Sequence, residues 1–471
     1  MRWLAPCAAA LVLAAAGCVH FQPRPIVPEK TLAAFSARTL GGPDLRRFLH
    51  DNQASSPASG QPWDLQRLTL AAFFFSPDLD VARADLAAAE AARVTAGGRQ
   101  NPAVAFSPGY STSTPAGSIS PWILTFNVDI PLTTAGKRGY AIAQASSLAE
   151  AARFRLASAA WAIRSRVRAS LVELEAATAA ETLLREQEAI LAENAALLDR
   201  QLAAGEAAPP DVTQAHLALA SARAALADAA ARVTFARAAL ADTIGVPAAA
   251  LAGVTLSPAG LDGPDQGVPT AEAKRKAVLN RADVLAALAQ YAASQSALQL
   301  EIARQYPDIH LGPGYEFDQS NDKWFLGLSL PLPIVNRNRG PIAEAEAARS
   351  AAAARFVAVQ AHALAEVDAA AAGLAQARTA AAEAARAAAD QETRQRAVQA
   401  RFAAGDISRI ELDGARIERV AAQLALLDAR SRAQAAVGRL EDAMQCTSEP
   451  IDRLVASPRR SDEGGGDGGT R

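Results

Sequence analysis

The chain of 471 residues is long enough for two or three ordinary domains, but its composition is not that of ordinary globular domains. Roughly a quarter of its residues are alanine and only 5% are aromatic, which predicts long helices packed closely together. The formal net charge is -2, without the lysine and arginine excess of a basic groove, and this excludes a nucleic-acid partner.

The N-terminus has the features of a bacterial lipoprotein signal. Arg2 precedes a short apolar run at 4–16, and small residues then lead into Cys18. The sequence therefore predicts a signal peptide over 1–17 and lipidation of Cys18; an ordinary signal peptide with an incidental cysteine is the alternative. Val19 follows the cysteine where enteric-type retention at the inner membrane uses Asp, so the outer membrane is favoured.

The segments outside the central part of the chain are irregular. Residues 18–64 are rich in Pro, Gly, Ser and Asp and are predicted to form a lipidated N-terminal arm with a short helix near 31–35. Residues 447–471 end in a Gly-rich stretch and are predicted to be a disordered tail. Cys446 is the one cysteine left after processing and lipidation, so no intrachain disulfide is available.

The first half of the chain predicts a helix, two strands and two further helices, over residues 65–245. Gly and Pro residues bound these elements, which are expected at 65–97, 103–110, 122–130, 138–203 and 211–244. The helix at 138–203 would be about 100 Å long, far beyond an average globular helix. Its far end carries a heptad of leucines, which predicts coiled-coil packing: Leu184, Leu191 and Leu198.

The second half copies this order over residues 270–446, after a linker at 246–269 rich in Gly and Pro. WILTFNVDIPLTTAGKRGYAIAQA, from Trp122, is matched by WFLGLSLPLPIVNRNRGPIAEAEA, from Trp324. The corresponding helices and strands are expected at 270–304, 308–317, 324–330, 340–404 and 408–446, with a QSND turn between the strands. The chain is therefore a duplicated unit of strands and long helices.

The strands alternate between apolar and polar residues. Leu124, Phe126 and Val128 are separated by Thr125 and Asn127 in the first copy. This period of two fits a strand with lipid on one side and water on the other, and it also fits a half-buried strand of a soluble protein.

The order of elements and the repeated motifs resemble the TolC-like outer-membrane efflux protein family over almost the whole chain. The strands open with Asn-Pro and Tyr-Pro and end with Pro-Leu, and the long helices begin at Arg-Gly: 101–102 and 306–307, 131–132 and 331–332, 138–139 and 339–340. The hairpin tips LAAGEAAPPDVTQAHLALASA and FAAGDISRIELDGARIERVAA align without a gap.

The resemblance implies a mainly helical fold with a transmembrane β-barrel, built as a homotrimer. Each protomer would give four strands to a twelve-stranded barrel in outer-membrane lipid, and the helices would form a long periplasmic coiled-coil tunnel. The number of strands agrees with a trimer, because four strands alone would leave open edges in lipid and three protomers close them.

The resemblance also gives the tips a role, since in the family they contact the adaptor and ring the closed mouth of the tunnel. The implied gate and adaptor-contact residues are Gly205, Asp211, Gly405, Asp406, Arg409, Glu411 and Asp413. Glu411 matches a family gate carboxylate, whereas the next family acid is replaced by Gly414, with Asp413 one position earlier.

Alternatives stay open at the tips. Asp211 could instead be the N-cap of the next helix, and Asp406 could pair with Arg409 or both could be solvated. If one hairpin moves to open the mouth, the charge-rich second hairpin is predicted to be the one, and substituting Glu411 and Asp413 together is expected to raise conductance.

No catalytic, cofactor-binding or metal-binding pattern is found. The histidines are far apart and lack ligand spacing; they are His20, His50, His216, His310 and His362. No glycine pair has the context of a phosphate loop. The sequence therefore predicts a protein that is not an enzyme.

The function implied is passive conduction in a tripartite efflux system. Its partners would be a periplasmic adaptor (a membrane fusion protein) and an inner-membrane pump of the RND type, which supplies the energy. GKRGYAIAQA and LPLPIVNRNRG are similar to the metal-efflux branch and in part to multidrug branches, so heavy-metal cations and drugs both remain as cargo. A periplasmic lipid-anchored adaptor or structural coiled coil is the alternative function, and a lipid-anchored enzyme a distant third.

Overall fold

The computed structural model of the chain describes residues 21–52, 62–112, 120–261 and 270–445. The predicted signal peptide, the lipidation site Cys18, Cys446 and the predicted tail lie outside these residues. The described part contains two short helices of the arm, α1 (Pro28–Ser36) and α2 (Pro43–Asp51), followed by the duplicated unit.

The two copies of the unit have the same order of elements. The first consists of α3 (Leu65–Phe75), α4 (Pro77–Ala96), β1 (Ala103–Tyr110), β2 (Trp122–Leu132), α5 (Lys137–Ala203) and α6 (Pro209–Ile244). The second consists of α7 (Thr270–Asn280), α8 (Ala282–Ala303), β3 (Ile309–Asp318), β4 (Asn321–Ser329), α9 (Arg339–Ala403) and α10 (Arg409–Met444). A 3₁₀ turn, Ala248–Leu251, lies between them.

The continuous helices expected at 65–97 and 270–304 are wrong, because each is broken near its start. Ser76 is extended (φ -69°, ψ 120°) and Pro77 begins α4, as expected for a residue whose helical conformation the following proline disfavours. Arg281 is likewise extended (φ -64°, ψ 125°), although no proline follows it. Its guanidinium instead bonds to Asp283, to Glu366 of α9 and to the Ala443 carbonyl, so tertiary contacts fix this break.

The helices lie side by side in a row that changes composition halfway along its length. The two long helices, α5 and α9, run the full length, with 67 and 65 residues or about 100 Å each. Beside the sheet the row is α4, α5, α8, α9, and toward the hairpin tips it is α6, α5, α10, α9. The ends of α6 and α10 therefore meet the starts of α4 and α8 at two junctions halfway along the row.

The larger core surrounds the first junction on one side of the row. The arm and the first repeat contribute large fully buried side chains there, including Leu45, Leu49, Phe73, Leu240 and Ile244. A second, smaller core joins α7, α9 and α10 around Val367 and Leu440. Removing apolar surface from water stabilises a fold by about 25 cal/mol per Å². Burial of these side chains therefore holds the arm helices and α7 against the row.

The four strands form one antiparallel sheet in the order β1-β2-β3-β4. The strands are short, and their alternating residues point to opposite sides of the sheet. Gln319 and Ser320 form the β3–β4 turn with positive φ values of 50° and 77°, the pairing typical of a two-residue hairpin. The predicted QSND turn is therefore two residues too long, and β4 begins at Asn321 rather than at Trp324.

Among the described residues, no helix has both the length and the apolar character needed to cross a bilayer.

Candidate functional site: hairpin tips and sheet faces

Both hairpin tips are built by the same backbone device. Gly205 (φ +74°) and Gly405 (φ +81°) adopt the left-handed conformation that ends α5 and α9, respectively. The Gly205 amide donates to the Leu202 carbonyl and the Gly405 amide to the Phe402 carbonyl, each at 3.0 Å. Glycine is needed here because a side chain would strain this conformation, and it lets each long helix reverse within a few residues.

The first tip does not use its aspartate as an N-cap. Helix α6 has Ala208 as N-cap, without a side-chain capping bond, and begins at Pro209. Asp211 is exposed and lies in the first turn, where a carboxylate interacts favourably with the helix dipole. The N-cap interpretation of Asp211 is therefore wrong.

The second tip has a complete capping box that the sequence analysis missed. The Ser408 hydroxyl accepts from the Glu411 amide at 3.3 Å, and the Glu411 carboxylate accepts from the Ser408 amide at 2.9 Å. The Ser-x-x-Glu spacing before an apolar run was the available signal. Glu411 thus has a structural role at the start of α10, although its side chain is exposed.

Asp413 lies inside the protomer rather than on an open surface. Its side chain has 0% exposure, and its two oxygens accept from Arg409 Nε at 3.0 Å and Arg416 Nη1 at 3.2 Å. The hydrogen bond to Asp413 raises the pKa of Arg409. Arg416 was not predicted from sequence; its spacing of three residues from Asp413 on one helix was the available signal.

The second hairpin is tied to the first by two arginines of α10. Arg409 Nη2 donates to Glu193 of α5 at 2.5 Å, and Arg419 donates to Glu186 of the same helix. In the described part of the chain, Arg409 pairs with Asp413 and Glu193 and not with Asp406, which is exposed. We call these two ion pairs, Arg409–Glu193 and Arg419–Glu186, the tip ties. They hold α5 and α10 together close to the hairpin ends.

Other ion pairs at the tips lie within one hairpin. His216 Nε2 is 3.0 Å from Asp199 Oδ1, and Arg223 Nε is 3.0 Å from Glu188 Oε1, both between α5 and α6. These contacts resist separation of the helices of the first hairpin but do not oppose a movement of one hairpin away from the other.

The α5–α10 contact has a second polar cluster at the junction end. Arg164 Nη2 donates to Glu441 at 3.0 Å, and the Ser165 hydroxyl donates to Asp442 at 2.5 Å. Burial raises the pKa of Asp442. The charges are placed the opposite way from those at the tips, since here the arginine belongs to α5 and the acids belong to α10.

The sheet has one polar and one apolar face, which follow from its register. The polar face carries Thr125, Asn127, Asp129, His310, Glu316, Asp318 and Lys323. The apolar face carries Val104, Phe106, Leu124, Phe126, Val128, Leu311, Phe317, Leu326 and Leu328. Val104, Leu326 and Leu328 are 64%, 71% and 64% exposed, so the protomer alone leaves much of this face uncovered.

Aromatic pairs stand on the apolar face toward the hairpin turns. Tyr110 contacts Trp122 with ring centroids 5.2 Å apart, and Tyr315 contacts Trp324 at 4.9 Å. Tyr and Trp are enriched where a lipid-facing surface meets water, because their rings are apolar and their polar atoms stay hydrated. The apolar face therefore has the composition of a surface that faces lipid.

The polar face is held by its own ion pairs. His310 Nδ1 lies 3.1 Å from both carboxylate oxygens of Asp129, and Lys323 contacts Asp318 at 2.6 Å and Glu316 at 3.5 Å. No group of three or more His, Cys, Asp or Glu side chains within the described residues could hold a metal ion.

The comparisons with known proteins agree with this geometry. The model of the outer membrane efflux protein family matches residues 75–246 and 274–444, one match for each repeat. The cobalt-zinc-cadmium resistance protein CzcC of Cupriavidus metallidurans is 31% identical over 219 residues, which are 46% of this chain. The aligned part spans only about half, 51%, of that relative's length.

Solved structures share the fold. The outer membrane protein VceC of Vibrio cholerae is 23% identical with a TM-score of 0.65, over 81% of this chain and 95% of that one. The CmeC outer membrane channel of Campylobacter jejuni is 16% identical with a TM-score of 0.68, over 83% and 89%. The resemblance drawn from the sequence is thus confirmed, and the chain belongs to the outer membrane efflux protein family.

Proposed function

We propose that the chain is the outer-membrane channel of a tripartite efflux system. It conducts substrate passively from an inner-membrane pump and a periplasmic adaptor to the cell exterior, and the pump supplies the energy. The observation that carries the proposal is the direct connection of a two-faced sheet to a row of helices about 100 Å long. The sheet would span the outer membrane, and the row would cross part of the periplasm.

Three copies of the chain are proposed to form the channel. The sheet of one protomer ends at β1 and β4, whose outer edges have backbone groups that a lipid environment cannot satisfy. Pairing β1 of each copy with β4 of the next would satisfy these groups and place all polar faces around one interior.

The helical row supports the same assembly. Leu217 and Phe235 of α6 are 61% and 73% exposed. They lie about a third of a turn around the helix from Ala222, Ala229 and Ala236, which are buried. Both large apolar side chains therefore lie on a face of α6 that its own protomer leaves uncovered, and α9 of the next copy would cover them.

Trimer closure can be tested by cross-linking the two sheet edges. Ser107→Cys on β1 is combined with a cysteine at each of several β4 positions, in a Cys446→Ser background. Oxidation is expected to give covalent species of two and three chains for a subset of pairs. Cross-links that stop at two chains, or none at any position, would contradict the closed trimer.

The tips are proposed as the gate and the adaptor contact. Gly205 and Gly405 shape the two turns, and Asp211, Asp406 and Glu411 present exposed carboxylates at that end of the row. Arg409 and Asp413 are assigned a different role in the proposal, because their ion pairs hold the second hairpin in place.

The cargo is proposed to be divalent transition-metal cations. The support is the similarity to a relative named for cobalt, zinc and cadmium resistance and the carboxylates on the polar face, Asp129, Glu316 and Asp318. A strain lacking the chain should lose tolerance to these metals and keep its tolerance to organic cations such as ethidium. The opposite pattern of sensitivity would assign the channel to drugs.

A further inference from the structure

The apolar spacing of β4 continues beyond the end of the sheet. We call residues 330–338, which join β4 to α9, the second connector. Three aliphatic side chains in it repeat the spacing of two that places Leu326 and Leu328 on the apolar face of β4: Leu330, Leu332 and Ile334. All three are exposed, at 66% for Leu332 and 72% for Ile334, so the protomer leaves this apolar segment largely uncovered.

The second connector also carries positive charge. Arg337 lies in it and Arg339 follows it as the first residue of α9, and both side chains are exposed. Glu301 of α8, which the connector does contact, already accepts from Arg304 and from Asn338 Nδ2, the latter at 2.9 Å. Among the described residues, no ion pair joins Arg337 or Arg339 to an acid. Both guanidinium groups are therefore open to an anion from outside the protomer.

The corresponding connector of the first repeat, residues 133–136, has a different character. It contains no aliphatic side chain larger than alanine. The Thr134 amide donates to Asp308 at 2.9 Å, and Lys137 Nζ donates to the same carboxylate at 2.8 Å. Arg138 donates to a carbonyl at the end of α4 at 2.7 Å. Polar contacts within the protomer therefore hold the first connector, whereas the second leaves apolar and cationic groups open side by side.

The second connector lies at the end of the sheet from which the helices leave. In the register of the sheet, β1 and β3 begin at this end, and β2 and β4 finish there. If the sheet spans the outer membrane and the helices enter the periplasm, this end lies at the periplasmic leaflet. Aliphatic side chains beside arginines suit the boundary between acyl chains and charged headgroups.

The next copy of the chain is a poorer match for this surface. With β1 of the next copy beside β4, the residues that precede β1 would come nearest to the second connector. They are exposed, polar and basic, and no acid is among them: Arg99, Gln100 and Asn101. They offer neither an apolar cover for Ile334 nor a negative charge for Arg337, and a phospholipid with an anionic headgroup offers both.

We propose that the second connector binds an anionic phospholipid of the periplasmic leaflet, one for each chain. The lipid phosphate accepts hydrogen bonds from Arg337 and Arg339, and an acyl chain packs along Leu332 and Ile334. The inference rests on the proposed function, because the orientation in the outer membrane follows from it, and it adds a lipid partner to that function. The site belongs to the second repeat alone.

The headgroup half of the site is tested by native mass measurement of purified trimers in detergent, with phosphatidylglycerol or phosphatidylcholine added. Wild-type trimers should retain phosphatidylglycerol in preference, at about one molecule per chain. Each arginine near an anionic lipid surface contributes about fivefold in affinity, so R337Q/R339Q should weaken this retention roughly 25-fold. Arg355→Gln is the matched control, because Arg355 is exposed on the same helix about 24 Å farther from the sheet.

The apolar half is tested by Ile334→Asn, with Ile334→Leu as its control. The asparagine should weaken phosphatidylglycerol retention about tenfold, while the leucine should preserve it. Inorganic phosphate separates a lipid site from a simple phosphate site, because it lacks the acyl chain and should not displace the lipid. Full displacement by inorganic phosphate, or a preference for phosphatidylglycerol that survives in R337Q/R339Q, would overturn the inference.

Trimer mass and conductance are recorded on the same preparations, so the two proposals can fail separately. Variants R337Q/R339Q that form conducting trimers and still select phosphatidylglycerol contradict the lipid site and leave the channel intact. Loss of the trimer in Ile334→Asn, in detergent without phospholipid, would identify the next copy as the occupant and also overturn the lipid site. Wild-type trimers that select the lipid and never conduct would count against the proposed function alone.

Discussion

The two carboxylates that α5 offers to α10 at the tips, Glu186 and Glu193, should control how easily the mouth opens. In E186Q/E193Q both tip ties lose their charge, while Asp413 keeps its partners Arg409 and Arg416. This choice avoids leaving Asp413 buried with an unpaired charge, which would damage the tip by a different route. The expected result is a larger open population and a higher conductance of the isolated channel.

The magnitude follows from the exposure of the pairs. The side chains of Glu186 and Glu193 are 45% and 61% exposed, so each tie is a surface ion pair contributing about 0.5 kcal/mol. A trimer contains six such ties, and a concerted opening would lose about 3 kcal/mol of stabilisation. At 1.4 kcal/mol per factor of ten, the closed-to-open ratio should fall by roughly 150-fold at low salt and by less at high salt.

The assay is the conductance of purified trimers in planar bilayers at low and high salt. Glu188→Gln is the matched control, because it removes the ion pair with Arg223 inside the first hairpin and leaves the contact between hairpins intact. Wild-type conductance in E186Q/E193Q, or an equal rise in Glu188→Gln, would refute the role of the tip ties.

Three further outcomes are expected. Burial raises the pKa of Asp442, so the folded chain binds this proton more tightly than the unfolded chain. The ionised carboxylate therefore costs folding stability as pH rises through that pKa. Compared with wild type, Asp442→Asn should gain more in its free energy of unfolding at pH 8 than at pH 4, as measured by urea unfolding. Gly245→Ala should cost about 1–2 kcal/mol for the left-handed backbone and more for the contact with α3, while Gly253→Ala, with φ +72° and open space, should cost only the backbone part in urea unfolding. Phe235→Glu should prevent trimer formation in native mass measurements, and Thr234→Glu, exposed on the same helix, should not.

Much of the architecture could be predicted from the sequence because local signals and the duplication agree. Gly205 and Gly405 marked the ends of the long helices, and alternation at 124–128 gave the strands and their two faces. The extended break at Arg281 could not be predicted from the sequence, since it is held by Glu366 of α9 and the Ala443 carbonyl of α10, which are distant in sequence. Such tertiary contacts override local helix propensity.

The tips were predicted less well, for a physical reason. From the sequence both Glu411 and Asp413 were predicted to be gate or adaptor-contact residues, although only Glu411 matches the position of a family acid. In the structure Glu411 completes the cap on Ser408, and Asp413 is fully buried between two arginines. Removing both carboxylates would therefore disturb the start of α10 as well as any ring of charge, so E186Q/E193Q is the cleaner test of gating.

The central claim is that three copies of this chain enclose one conducting path. Single-channel recording of purified trimers tests it most directly. The account predicts uniform conductance steps that appear only with the trimer fraction and increase in E186Q/E193Q. A trimer that inserts in bilayers and carries no current in either form would contradict it.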